Sequence, residues 1–462
     1  MNVVDEIATG FAAPRGQPRI QRAWSAAAVL WIAFIANGGV IVWLWLHGGG
    51  VSAVHSGSDL ETSLGRITGL LGVYSALIQI LLLSRLPALE RLVGFDALSV
   101  WHRRNGKLCI YMVVAHTVLI TFGYAGYDKI GFGPEFTRFL GEYPGMVTAL
   151  AGTALMVAIF FSSLVIVRRR LPYEAWYALH FAMYGAIALT YLHQIPTGNE
   201  FLDNPAQADY WIGLYCATLL ALLLFRVALP VRDAWRHRLR VESVDLEGPD
   251  VISVWIRGRR LEELGALGGQ FMLWRFLTRG RWWQSHPFSL SALPHAGALR
   301  LTIKQVGGFT HGLADLRPGT RVLAEGPFGR FTVAVRRRRR VALIAGGIGI
   351  TPIRALLEEL ADGEPILVYR ALREKDLVLL GELEQLAAER GGAVRCVVGD
   401  HRDPAASSLM SPAHLAELVD DIVEREVYLC GPGAMMQSVK RSLRQLGVPR
   451  RHIHMERFAL AL

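Results

Sequence analysis

The sequence predicts a multidomain membrane protein: a six-helix transmembrane bundle, then an antiparallel β-barrel, then an α/β domain on a parallel sheet. Three observations carry this. Six long apolar windows fill residues 24–230. Short alternating segments separated by Gly and Pro fill residues 239–335. From Val341 onward, continuous apolar runs alternate with helix-like segments. The 462 residues suffice for roughly three domains. Their expected bounds are 1–236, 237–338 and 339–462.

The expected spans are 24–46, 64–84, 108–127, 143–167, 175–195 and 210–229. The first carries no charge over 23 residues, enough to cross about 30 Å of hydrocarbon. It is too long for a signal-peptide core. Lys and Arg then set the orientation. Arg15, Arg19 and Arg22 precede span one, Arg85, Arg91, Arg103, Arg104 and Lys107 follow span two, and Arg168, Arg169 and Arg170 follow span four. The opposite loops carry only Lys129 and Arg138. The N-terminus and everything after span six are therefore expected in the cytoplasm, with the spans in the cell (inner) membrane and the lipid bilayer as a partner.

The net charge is +10, from 49 Lys and Arg against 39 Asp and Glu. Much of it is this topology signal, which removes the main support for a nucleic-acid partner. Apolar residues make up 52% and charged residues 19%, so neither a disordered chain nor a wholly soluble enzyme is expected. Cys109, Cys216, Cys396 and Cys430 lie far apart with no C-x-x-C, which argues against an all-cysteine zinc site, an iron–sulfur cluster and a disulfide framework.

In the second half, strands are expected at 239–245, 251–257, 270–276, 299–305 and 321–325, then at 341–345, 366–369, 394–398, 427–430 and 453–455. The run Arg336–Arg340 between the two soluble parts reads as a solvated loop, or alternatively as a contact for anionic lipid.

Four of the 14 histidines fall in or at the spans, all in the third and fifth: His102, His116, His180 and His193. Each pair is separated by 14 or 13 residues, about 20 Å along a helix. Spans three and five run in the same direction, so His102 pairs in depth with His180 and His116 with His193. An imidazole in hydrocarbon needs a partner, and neutral imidazole is a good axial ligand for haem iron. Fourteen residues return to within about 40° of one helix face, but thirteen end about 140° away. Span five therefore needs a bulge, kink or tilt.

These pairs resemble the ferric reductase-like transmembrane domain shared by NADPH oxidases and metalloreductases. The resemblance implies that His102 and His180 ligate an inner b-type haem and His116 and His193 an outer one. Arg66 in span two is either a snorkelling residue or a functional charge near the outer haem. NADPH oxidases carry a similar arginine.

His286-Pro287-Phe288-Ser289-Leu290-Ser291 follows a barrel-type strand. It resembles the flavin-binding segment of the ferredoxin–NADP reductase superfamily, in the His-Pro-Phe form of NADPH oxidases and ferric reductases. The Ser289 hydroxyl suits flavin N5 or O4. Lys304, Gly308, Phe309 and Thr310 are similar to the segment that covers the FAD pyrophosphate, and Gly326-Pro327-Phe328-Gly329 to a family turn.

After the apolar run at 341–345 comes Gly346-Gly347-Ile348-Gly349-Ile350-Thr351-Pro352. Glycines let the backbone approach a pyrophosphate, Thr351 suits a helix cap and Pro352 a first turn. The string is not G-x-G-x-x-G, but it looks like the superfamily's G-G-x-G-x-[TS]-P segment. Arg370 and Arg373 follow the next strand and suit the 2′-phosphate of NADPH. Cys430-Gly431-Pro432 resembles the family's C-G-P motif, whose cysteine lies near the nicotinamide. Phe458 is the candidate for the C-terminal aromatic that family members place over the flavin. The catalytic candidates are thus Cys430, Ser289 and Phe458.

The implied route runs from NADPH through FAD and two b-type haems to an external acceptor. Dioxygen reduced to superoxide is the first reading, a ferric chelate or other metal the second, and a cytochrome b relay to a partner protein the third.

Overall fold

The structure, a computed structural model, describes residues 22–164, 167, 170–171, 173–198, 204–400, 403 and 408–456. Arg15, Arg19, Arg168, Arg169 and Phe458 lie outside the described residues. The first half is helical: α1 (Arg22–His47), α2 (Gly57–Leu82), α3 (Pro87–Val93), α4 (Phe95–Asp128), α5 (Phe132–Glu142), α6 (Met146–Ser162), α7 (Tyr173–Phe181), α8 (Met183–Thr197) and α9 (Pro205–Leu223). A π-helical turn, Leu224–Ala228, joins α9 to α10 (Leu229–His237). Local signals set several starts. The Ser56 hydroxyl accepts the Asp59 N–H before α2, and Asn204 accepts from Ala206 and Gln207 with Pro205 opening α9.

Among the described residues, four helices are long and apolar enough to cross a membrane, or five if the bent pair α5–α6 counts as one span. Three elements depart from the expected windows. The segment after span three carries α5, bent by 116° from α6. The loop after α2 carries α3. Residues 175–195 do not form one helix; they break at Ala182 into α7 and α8. The interruption falls between His180 and His193.

α2 and α4 run antiparallel along a glycine seam. A Cβ on Gly65, Gly69 or Gly72 would meet Ile120, His116 or Val113, and one on Gly123 would meet Thr62. Small residues one or two turns apart let the backbones close up, as in G-x-x-x-G helix pairs.

The second half opens with β1 (Arg240–Gly248), β2 (Val251–Arg257), β3 (Phe271–Phe276), β4 (His286–Ser289), β5 (Ala298–Lys304) and β6 (Val322–Phe328). They form two antiparallel three-stranded sheets, β1-β2-β5 and β4-β3-β6, linked by a bridge between Arg240 and Arg321. Val254, Ile256, Met272, Trp274, Leu299 and Leu301 fill the core between them. The His286 motif does not merely follow a strand. It is β4 itself, paired with β3 in the register Phe271 to Ser289.

The last domain has β7 (Val341–Gly346), β8 (Ile366–Ala371), β9 (Ala393–Val398), β10 (Glu426–Cys430) and β11 (Ile453–Glu456), all parallel, in the order β11-β10-β7-β8-β9. Its helices include α11 (Ile350–Glu359), α12 (Leu380–Ala388), α13 (Pro412–Leu418) and α14 (Gly433–Gln445). Leu343 packs with Ile353 and Leu383 on one face and Ile344 with Leu429 and Val439 on the other. Both faces are covered, so the strands read as unbroken apolar runs. The arginine run is tied down within this domain. Arg336 pairs with Asp362 at 2.8 Å and Arg340 with Asp421 at 3.0 Å.

The halves meet where Phe95, at the start of α4, packs its ring against Phe271 and Phe328 at 6.0 and 6.1 Å. Arg85 pairs with Glu325 beside it. Phe95 precedes His102 by seven residues, so both lie on one face of α4.

Candidate electron-transfer sites

In the helical half the structure brings the four histidines together as two pairs. The rings of His102 and His180 are 6.0 Å apart, and those of His116 and His193 are 6.4 Å apart. An imidazole nitrogen bonds a metal at about 2.0–2.1 Å. Two imidazoles on opposite sides of one metal therefore hold their ring centroids about 6 Å apart. Both pairs fit that spacing. The second atoms of the rings fit as well. Nδ1 of His116 lies 2.8 Å from the Gly65 carbonyl and Nδ1 of His102 lies 3.2 Å from the Gln79 carbonyl. A carbonyl only accepts, so Nδ1 carries the proton and Nε2 keeps its lone pair for a metal. His180 Nδ1 lies 3.4 Å from the Ser163 hydroxyl, which also accepts the Trp176 indole N–H at 3.3 Å. Trp176 stacks on the His180 ring at 5.0 Å.

A largely apolar cavity opens between the spans at the His116–His193 pair. Arg66, Gly69, His116, Tyr124, Phe139 and His193 are among its lining residues. Arg66 is thus in the same cavity as the histidine pair. The sequence reading missed Gly65, Gly69 and Trp176; the G-x-x-x-G spacing at 65–69 is the signal that finds the first two.

In the sheet pair, Ser289 Oγ is buried with no hydrogen-bond partner among the described residues. So are Thr278 Oγ1, Gln284 Oε1 and Ser285 Oγ in the connection between β3 and β4. A buried polar atom without a partner is costly, so the Ser289 hydroxyl suits a polar ligand such as a flavin. His286 and Phe309 stack at 3.7 Å, with Phe288 beside Phe309 at 6.4 Å. Pro287 lies between them on β4, opposite Leu273. Two expected contacts are turned elsewhere. Leu290 is in the sheet core, and the Ser291 hydroxyl bonds Arg300 and Thr302 behind the strand. Thr310 Oγ1 accepts from the N–H groups of Val306 and Gly307, closing the turn that exposes Gly308, while Lys304 is exposed at the end of β5.

In the parallel sheet, Gly346, Gly347 and Gly349 lead from β7 into α11. Gly347 takes φ +51° with open space around it, so its backbone is bare. Gly349 caps the helix, and a Cβ there would strike the Cys430 carbonyl. Thr351 does not cap as expected. It is inside α11, and its hydroxyl bonds the Ile348 carbonyl at 3.1 Å; Pro352 follows in the first turn. The turn and helix N-terminus suit a pyrophosphate. Gly431 and Pro432 lie directly beside Gly346.

Cys430 is fully buried, and burial pushes its thiol well above the usual range. Its carbonyl lies against Gly349 in the glycine turn. Arg370 is mostly buried and donates to the Val397 carbonyl at 3.3 Å and to those of Ala371 and Gly399. Arg373 pairs with Asp376 at 3.2 Å. Both expected phosphate arginines thus have local partners.

A helical membrane half, a flavin-binding sheet pair and a nucleotide-binding sheet together define a membrane NAD(P)H-dependent flavoprotein oxidoreductase. The comparisons agree. Residues 68–191 match the ferric reductase-like transmembrane component, 236–332 an FAD-binding domain and 343–441 an oxidoreductase NAD-binding domain. The chain has the domain architecture of the ferric reductase and NADPH oxidase superfamily.

Among similar proteins, the stachydrine N-demethylase reductase subunit of Rhizobium meliloti is 30% identical over 37% of this chain and 52% of its own length. A flavohemoprotein of Bordetella pertussis is 31% identical over 38% of this chain and 48% of its own length. The chain thus spans about half the length of these relatives. The crystal structure of the flavohem-like FAD/NAD-binding domain of a Vibrio cholerae nitric oxide dioxygenase is 26% identical, with a TM-score of 0.40, over 48% of this chain and 98% of that one.

Proposed function

We propose that this chain carries electrons from cytosolic NADPH, through FAD and two b-type haems, across the cell membrane to dioxygen, forming superoxide. The observation that carries the reading is the pair of imidazole couples, each near 6 Å, in a chain that also holds a flavin and nicotinamide module. The domains divide as 1–236, 237–338 and 339–462. Six spans put the N-terminus and both nucleotide-binding domains in the cytoplasm.

His102 and His180 would hold the inner haem, and His116 and His193 the outer one. Bound haem supplies one-electron chemistry and an insulated stepping-stone for charge. The Gly65 and Gln79 carbonyls fix the tautomer and rotation of two ligands. Ser289 would donate to flavin N5 or O4, and the turn at Gly347 with the start of α11 would bind the NADPH diphosphate. Arg66 places positive charge in the outer cavity, which favours electron arrival and an anionic product. Moving each electron against a potential costs about 2.3 kcal/mol per 100 mV.

The test is to purify the full chain and add NADPH without oxygen. A bis-histidine b-type spectrum that becomes reduced is expected; no haem, or haem that stays oxidised, overturns the wiring. Oxygen or ferric chelate is then admitted. Superoxide-dismutase-sensitive cytochrome c reduction supports the oxidase. Ferrous iron formed without it points to a metal reductase using the same wiring.

A further inference from the structure

Behind the flavin strand, Ser253, Thr302 and Ser291 form a buried hydroxyl chain, with contacts of 2.9 and 2.8 Å. Arg300, on β5 and only 3% exposed, attaches to it. Its Nε donates to Ser291 Oγ at 3.2 Å and its Nη2 to the Ser291 carbonyl at 3.3 Å. The other edge of the guanidinium leaves the flavin domain. It meets Glu382 on α12 as a two-pronged fork, both contacts at 2.8 Å. Glu382 also accepts from Arg354 Nε at 3.0 Å. Arg354 lies on α11, the helix that starts at the glycine turn, and pairs with Glu358. Glu358 in turn accepts the Leu293 N–H at 2.8 Å, two residues past Ser291.

The ring crosses the domain boundary twice and links the flavin motif with the helix that begins at the dinucleotide turn. An isolated exposed ion pair stabilises little. A fork between Arg and carboxylate, by contrast, fixes angle as well as distance. Burial would raise the Glu382 carboxyl, but hydrogen bonds and charge from Arg300 and Arg354 outweigh it and hold the group below its usual range.

We infer that the ring Ser291–Arg300–Glu382–Arg354–Glu358–Leu293 sets the nicotinamide against the flavin, with Arg300 and Glu382 as positioning residues for hydride transfer. The step moves a hydride, one proton with two electrons, from nicotinamide C4 to flavin N5. NADPH becomes NADP+ and FAD becomes FADH−. A near-attack geometry is sensitive to displacement on the ångström scale, so the ring's rigidity bears on rate more than on affinity. The inference rests on the flavin and nicotinamide part of the proposed function and is independent of the haems.

The test uses the full chain with Glu382→Gln and Arg300→Lys, mixed anaerobically with NADPH. The readouts are flavin bleaching and the charge-transfer absorbance of stacked nicotinamide and flavin. Slowing of about tenfold is expected for each variant, the scale of a small displacement of the reacting atoms from their near-attack geometry. Charge-transfer absorbance should fall, while FAD content and flavin reduction by dithionite stay unchanged. Parent-like rates and absorbance overturn the inference. Loss of FAD from both variants also overturns it, because the ring would then hold the fold and not the approach. A parent protein that leaves NADPH unoxidised would instead overturn the proposed function.

Discussion

The His116 ring donates from Nδ1 to the Gly65 carbonyl at 2.8 Å, while Gly69, one turn further along α2, makes room for the same ring. A Cβ on Gly69 would sit 2.6 Å from Nδ1. One helix face thus both aims the imidazole and leaves it space. Three of the four paired histidines have Nδ1 against an oxygen in this way.

Gly69→Ala should therefore displace His116 and, on the proposed wiring, remove one haem of two. Overpacking of this kind costs about 1–3 kcal/mol, enough to weaken a site without unfolding a bundle. Haem content per chain is the measurement. Two haems retained with an unchanged reduced spectrum would refute the role of the seam.

Phe95→Ala should uncouple the two halves. Its ring fills the junction with Phe271 and Phe328, and His102 lies on the same helix face. Stopped-flow reduction by NADPH should show normal flavin bleaching and haem reduction slowed several-fold. Equal rates for both phases would exclude Phe95 as a docking residue.

Thiol labelling should separate the cysteines of the nucleotide domain. Cys396 is exposed and Cys430 fully buried, with its thiol pushed well above the usual range. A maleimide at neutral pH should modify Cys396 in the folded protein and Cys430 only after denaturation. Rapid labelling of Cys430 in the folded state would show that its sulfur faces an open nicotinamide site.

Glu359 should give stability a pH dependence. Burial lifts its carboxyl from 4.5 to about 7, against the pull of the Gly268 N–H that it accepts at 2.8 Å. Between those values the native state holds more protons than the unfolded chain. Stability therefore falls as pH rises from 4.5 to about 7, then levels off. Glu359→Gln stays neutral throughout. Its melting temperature should exceed the parent's near about pH 8 and match it near about pH 5. A pH-independent difference would remove the assignment.

The residues that announce themselves in sequence are those whose signal is local. Apolar windows mark α1, α2 and α9, because a helix that faces lipid must be apolar, and unbroken apolar runs mark β7 and β10, because burial on both faces leaves a composition trace. The 13-residue separation of His180 and His193 calls for a bulge, kink or tilt if both are to face one partner helix, and the helix is interrupted at Ala182 between them. What tertiary contacts decide is hidden. α5 turns by 116° against α6, with Phe132 and Phe139 packed on Phe122 and Tyr124 of the preceding helix. Arg370 ends a strand as a phosphate ligand would, yet it turns onto the carbonyls of its own sheet edge. Ser291 alternates correctly with Ser289, but faces Arg300. Nothing local distinguishes these outcomes.

α4 has 34 residues, about 51 Å of helix against a bilayer core of about 30 Å. Phe95, His102 and His116 all ride on this one uninterrupted rod. Their separations are counted in residues, so thermal breathing changes them little. The same rigidity makes the helix intolerant of insertions and deletions. One extra residue between His102 and His116 would swing one ring about 100° around the axis relative to the other. A duplicated or lost codon in this stretch would break the alignment of the two histidine pairs, whereas the bent connection between α5 and α6 has slack to absorb one.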